Sequence, residues 1–244
     1  MTAPDALTIT FGALAGGFVS GLAGFGTALT TVGIWLHVLD PVAAATLTLI
    51  CSVVGQIQTL PSIWREVEPG RVLPFIVPGL LGVPFGVWAL NYTDPWAFKF
   101  GVGVFLIAFS IFMLGWRGQP SVAWGGRSAD AVIGLLGGVL GGMAGLSGAL
   151  PTVWATLRGW SKTQKRSVFQ AFNLSVLAVA LLVHVLTGRM SEALIAPLVL
   201  ALPGTLIGAW CGFAAYRRLS ERNFGDLVMG LLMFSGVTLL FSLR

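Results

Sequence analysis

Charge is what this chain has least of. Only 9% of its residues are Asp, Glu, Lys or Arg, where a soluble domain carries about 25%. Between Asp5 and Asp40 none of the four occurs, and roughly 20 apolar residues already span a bilayer. An ordinary water-soluble fold is excluded; this is an all-α polytopic membrane protein with the lipid bilayer as a partner. Carboxylates are missing from the middle of every apolar segment, with Glu192 and Asp226 near segment ends. Proton-coupled carriers usually rely on embedded carboxylates or histidines, so no proton relay is expected. Cysteine is almost absent too. Cys51 and Cys211 lie in apolar segments and read as small core residues rather than a disulfide. His37 and His184 lack companions at ligand spacing, so no metal and no cofactor is expected. The start of the chain lacks a basic n-region, so the first apolar segment is expected to stay in the mature protein. A formal charge of +5 would suggest nucleic acid in a soluble chain. Here the cations sit in loops, where topology explains them and no nucleic-acid partner is implied.

Glycine, by contrast, is abundant and patterned. Residues 17–30 read GFVSGLAGFGTALT and residues 138–151 read GVLGGMAGLSGALP. At an offset of 121, Gly17, Gly21, Ala23, Gly24, Ala28 and Leu29 fall on Gly138, Gly142, Ala144, Gly145, Ala149 and Leu150. A second echo, at offset 122, sets Gly82, Gly86 and Trp88 on Gly204, Gly208 and Trp210. The chain is a duplicated module, read as a first membrane repeat over 1–116, a cytoplasmic linker over 117–127 and a second repeat over 128–244. Paired breaks of this kind point to the binding site of a secondary transporter.

Eight apolar stretches emerge, roughly 6–39, 42–63, 72–90, 96–116, 128–157, 167–187, 193–215 and 224–243. Asp40-Pro41 reads as N-cap and first helical residue of the second. The first and fifth hold about 30 apolar residues, or about 45 Å as one helix, against a hydrocarbon core of about 30 Å. Glycines cluster near their middles, where helix propensity is worst. A re-entrant pair of half-helices meets both facts, provided the broken backbone is buried in protein or lines a cavity. If all eight segments cross, the loops split the 14 Lys and Arg six against eight. If segments one and five dip in and return, Arg65, Arg71, Arg117, Arg127, Arg158, Lys162, Lys165, Arg166, Arg217, Arg218 and Arg222 share one side. Only Lys99, Arg189 and Arg244 remain opposite. The positive-inside rule favours that second arrangement. Each repeat is then one glycine-broken re-entrant hairpin plus three transmembrane helices. Three crossings invert the second repeat, and both ends of the chain lie outside.

The breaks have chemical consequences. Gly24-Phe25-Gly26-Thr27 precedes one helical run and Gly145-Leu146-Ser147-Gly148 another. A glycine turn followed by a helix start exposes unpaired N–H groups and the positive end of the helix dipole. Two such ends brought together near the midplane suit an anion without a buried Lys or Arg. The hydroxyls of Thr27, Thr30 and Ser147 add donors. Thr48, Ser52, Gln56 and Thr59 form a polar stripe on segment two, and Arg166, Gln170 and Asn173 one on segment six. Gln56, Gln170 and Asn173 read equally as site lining and as interhelical glue. Glycines 82, 86, 204 and 208 read as packing positions. The run Arg158–Arg166 fixes topology or gathers anions at a cytoplasmic mouth.

The GGFVSGLAGFG and GGVLGGMAGLSG segments, the duplicated halves and the length resemble the TauE/SafE family of membrane permeases. That family typically has a glycine run after the Gly-Leu-Ala-Gly turn. Here the first copy has Gly26-Thr27 and the second Ser147-Gly148, with Pro151 only in the second. The resemblance implies a multi-pass plasma (inner) membrane exporter of sulfite, an organosulfonate or a related small organic anion, and no enzyme. Two other classes stand beside it. One is an intramembrane serine protease using Ser147, disfavoured because His184 lies 19 residues beyond Lys165, about 28 Å of helix. The other is a structural membrane protein without cargo.

Overall fold

The computed structural model describes residues 2–59, 61, 67–116, 122, 124–216, 229–230, 233–234 and 236–241, without the side chains of Lys162, Thr163, Arg166 and Tyr216. Arg65, Arg117, Arg217, Arg218, Arg222, Asp226, Arg244 and most of segment 224–243 lie outside the described residues. Among the described residues all regular structure is helical. The order is α1 (Ala3–Ala23), α2 (Thr27–Trp35), α3 (Pro41–Thr59), α4 (Pro69–Tyr92), α5 (Pro95–Gly115), α6 (Gly126–Ala144), α7 (Ala149–Leu157) and α8 (Lys162–Leu186). A 3-10 turn (Glu192–Leu194) then leads into α9 (Ile195–Tyr216).

The helix starts follow from local chemistry. Thr2 and Asp5 cap α1 reciprocally, as Ser161 and Gln164 cap α8. Asp40 accepts from the amides of Val42 and Ala43 at 3.0 Å each, and Asp94 from those of Trp96 and Ala97. Proline then occupies the first position of α3 and α5, where its missing N–H costs nothing. Six of the described helices have the length and apolarity to cross a membrane: α1, α3, α4, α5, 167–186 of α8 and 192–215 around α9. Their outer faces carry Leu81, Phe85 and Trp88 on α4 and Val199, Ile207 and Trp210 on α9, all exposed. An apolar outside of this extent needs lipid, not water.

Segments one and five are broken, but not into equal halves. α1 has 21 residues and α2 only 9, and α6 has 19 against 9 in α7. The expected pairs of half-helices are therefore one long and one short helix each. Helix α1 begins at its Thr2 cap, well before the apolar run, so the break falls two-thirds of the way along. In each hairpin the short helix runs back along the long one. The Trp35 indole of α2 donates to the Ile9 carbonyl of α1 at 3.1 Å, and the Trp154 indole of α7 to Asp130 Oδ1 of α6 at 2.7 Å.

Two glycine-lined crossings tie the halves together, α1 on α9 and α4 on α6. A Cβ on Gly17 or Gly21 would overlap the backbone of Thr205 or Ala209, and one on Gly138 or Gly142 that of Gly79 or Val83. From the other side, Gly208 and Gly212 meet the carbonyls of Leu14 and Phe18, as Gly82 and Gly86 meet those of Leu135 and Val139. These registers agree with an offset of 121 between α1 and α6. Between α4 and α9, however, the matching offset is 126, not the 122 read from the sequence. Gly82 and Gly86 correspond to Gly208 and Gly212. Glycines at 204, 208 and 212 repeat every fourth residue, so a sequence match can slip by one helical turn unnoticed. All the glycines in question pack helix backbones closely, as small residues do between membrane helices.

Cysteine corrects a second expectation. Cys51 is buried but Cys211 is exposed, and both are free. Lipid rewards apolar surface as a core does, so hydrophobicity alone did not separate the outer face of α9 from its inner one.

Candidate functional site

The two breaks meet at the centre of the bundle. Helix α1 ends at Gly24, whose φ of 77° is left-handed, and α6 ends at Gly145 with φ 71°. Glycine takes this conformation without a Cβ penalty, so both helices stop sharply. The amide of Gly24 closes on the Ser20 carbonyl, and that of Gly145 on Gly141. Gly26, at φ 98°, then caps α2 without a side-chain bond. The turns touch. A Cβ on Gly145 would lie 3.2 Å from that of Ala28, and one on Gly148 3.3 Å from that of Phe25.

Between them lies a small cavity of ≈ 10 Å³ lined by Gly26, Thr27, Ala28, Leu29, Ser52, Gln56, Gly145, Leu146, Ser147, Gly148, Asn173 and Leu177. The first turn of α2 contributes Thr27, Ala28 and Leu29, whose amides have no intrahelical partner. Helices α3 and α8 cross antiparallel behind the turns. Thr46 Oγ1 lies 2.8 Å from His184 Nδ1, and at the other end Gln170 Nε2 donates to Thr59 Oγ1 at 2.5 Å. The lining respects the repeat. Ser52 and Asn173 are 121 residues apart, as are Gln56 and Leu177, Gly26 and Ser147, and Thr27 and Gly148.

The hydrogen bonding of this lining is incomplete. Ser147 Oγ donates to Asn173 Oδ1 at 2.8 Å, and Gln56 Nε2 to the Gly24 carbonyl at 3.1 Å. Thr27 Oγ1, Ser52 Oγ and Gln56 Oε1 are buried with no hydrogen-bond partner. Leaving a buried polar group unsatisfied costs about 1–3 kcal/mol, and such groups are scarce in folded proteins. Three of them lie around this one small cavity.

Of the residues predicted for the site, Gly26, Thr27, Gln56, Gly145, Leu146, Ser147, Gly148 and Asn173 line this cavity. Gly24 stands behind it as the acceptor for Gln56. Phe25 stacks edge-on against Phe169 at 5.5 Å between ring centres. Thr30 donates back to the Gly26 carbonyl at 3.1 Å, and Gln170 is held by Thr59. Sequence reasoning had placed Ser52 in a polar stripe without assigning it to the site. Its position one repeat offset before Asn173 was the signal that finds it.

His184 takes no part. Arg189 Nη1 donates to His184 Nε2 at 3.3 Å, so Nδ1 carries the proton and donates to Thr46, whose own hydroxyl goes to the Val42 carbonyl. Arg189 also donates to the Val87 carbonyl and Asn91 Oδ1, and burial lowers its pKa from the ordinary arginine value. Ser147 is bonded to Asn173, and eleven residues of α8 separate Asn173 from His184, about 16 Å. The serine-protease reading has no geometry here.

The fold is that of a helical membrane protein in which two broken helices meet around a buried polar pocket. The model of the sulfite exporter TauE/SafE family matches residues 9–239, nearly the whole chain, and the protein belongs to that family. No curated protein and no solved structure matches the chain. Membership implies a membrane transporter of sulfur-containing anions, and the family is one of transporters rather than enzymes.

Proposed function

We propose that the protein exports a small anion, sulfite, an organosulfonate or a related organic acid, across the plasma (inner) membrane, binding it in the central cavity. The observation that carries this reading is the pair of unpartnered buried hydroxyls, Thr27 and Ser52. Two hydroxyls and the α2 helix start supply neutral donors at one point, which suits an oxyanion better than a cation. In this reading the halves are inverted repeats. Each opens with a re-entrant hairpin, α1–α2 or α6–α7, whose short helix turns back before crossing. Support comes from the return of Trp35 to Ile9 and of Trp154 to Asp130, and from the matched crossings. Eleven of the 14 cations then face the cytoplasm.

With no titrating group in the cavity lining, the cargo's own charge carries the driving force. The membrane potential supplies about 2.3 kcal/mol per charge per 100 mV. In proteoliposomes clamped with potassium and valinomycin, a potential negative on the loaded side accelerates sulfite or organosulfonate efflux, and the reversed potential slows it. Flux that ignores the potential and follows a proton or sodium gradient would remove the potential-driven mechanism.

A further inference from the structure

A second cavity, of ≈ 530 Å³, opens where α4, α6 and α8 begin, lined by Arg71, Arg127, Asp130, Arg158, Trp160 and Gln164. We propose that it is a second oxyanion site, a vestibule that takes a sulfate-, sulfonate- or phosphate-type group before the central cavity does. Gln164 and Asn173 lie nine residues apart on α8, about 14 Å, so the two sites are distinct and the vestibule stands without the central one.

Three observations converge. First, three arginines and one carboxylate, Asp130, line the cavity. Glu68 takes Arg71 at 2.7 Å, and Arg127 has no ion-pair partner among the described residues. Second, one nitrogen of Arg158 lacks a hydrogen-bond acceptor. Its Nη1 is buried and makes no hydrogen bond; Asp130 Oδ1, at 3.9 Å, is too far for one and is already taken by the Trp154 indole. The guanidinium is instead kept 5.5 Å from the centre of the Trp154 ring. A buried N–H of a charged group without an acceptor costs more than a neutral one, and a bound oxyanion supplies what that nitrogen lacks. Third, the positive ends of α4, α6 and α8 share this place.

The repeat shows that packing does not require these charges. At an offset of 121, Arg127, Asp130 and Arg158 fall on Ala6, Ile9 and His37; at 126, Arg71 falls on Pro197. At these three positions the first hairpin carries neither arginine nor acid. The charge belongs to one end of the molecule, where it gathers anions for passage in one direction.

A phospholipid headgroup and a free anion share this chemistry, and the test separates them. Binding of radiolabelled sulfate is measured on full-length, delipidated protein carrying Thr27→Val and Ser52→Ala, so that the central cavity does not contribute. Saturable binding persists in that background, weakens about tenfold with Arg127→Gln or Arg158→Gln, and tightens with Asp130→Asn. The gain from Asp130→Asn cannot come from misfolding, because Asn still accepts from the Trp154 indole. Native mass spectrometry of protein purified from phosphatidylglycerol bilayers gives the lipid arm. Phosphatidylglycerol retained by the parent and lost by the arginine variants assigns the site to headgroups, whereas sulfate binding without retained lipid assigns it to free anions. Sulfate binding and lipid retention both indifferent to Arg127, Asp130 and Arg158 would overturn the proposal.

Discussion

The two hairpins are built alike and finished differently. In each, a tryptophan on the short helix reaches the long one, and the acceptors, Ile9 and Asp130, are 121 residues apart. In the first half the acceptor is a backbone carbonyl that the helix supplies for nothing. In the second it is a carboxylate that sits beside Arg158. The hairpin therefore needs a latch but not a charge. The central cavity divides its labour in the same way. The first half brings Thr27, Ser52 and Gln56; the second brings Ser147 and Asn173, with Gly148 and Leu177 where the first half is polar. The two hairpins share a backbone plan and carry different polar groups on it.

The strongest way to break the comparison is at the shared scaffold. A side chain on Gly17 meets the backbone of Thr205, and one on Gly138 that of Gly79. Overpacking of side chains costs about 1–3 kcal/mol, and backbone here has less room to yield. Gly17→Val and Gly138→Val are both expected to abolish recovery of monodisperse protein on size-exclusion chromatography. Gly101→Val, with nothing within 4 Å of its Cβ, is neutral. Recovery of Gly138→Val equal to that of Gly101→Val would remove the close crossing from the account.

The latches come next and separate the halves. Trp35→Phe removes one hydrogen bond to a carbonyl that keeps its helical partner, a loss of about 1 kcal/mol. Trp154→Phe strips a largely buried carboxylate of its only hydrogen bond among the described contacts, and bonds to charged groups run about 1.5–3 kcal/mol. Thermal unfolding in detergent should show the larger fall for Trp154→Phe, partly restored by adding Asp130→Asn. Equal falls would mean that the carboxylate adds nothing to the latch.

Much of this was legible beforehand, for identifiable reasons. Segments too long for one crossing and interrupted by glycine announced both breaks, because length and propensity gave the same answer at Gly24 and Gly145. The α4–α9 register was not legible, since glycines every fourth residue fit equally well one turn away. Thr30 was read as a donor to the site, but a helical hydroxyl finds its own i−4 carbonyl first. The Trp154–Asp130 latch spans 24 residues and exists only once α7 folds back on α6. Its one trace in the sequence is the place where the repeat changes from Ile9 to Asp130.

The smallest effects on stability carry the central claim, that the unpartnered hydroxyls of Thr27 and Ser52 are kept for an anion and not for the fold. The most direct measurement is the unfolding temperature of purified protein with and without sulfite. Wild-type protein should be stabilised by mass action, by about 2.7 kcal/mol at 100 times the dissociation constant. The Thr27→Val/Ser52→Ala protein should unfold at the same or a higher temperature without ligand, since two unsatisfied groups are gone, and should lose the response to sulfite. Thr30→Val should keep that response. A double variant that unfolds earlier than wild type yet still responds to sulfite would contradict the claim, and would make these hydroxyls part of the scaffold.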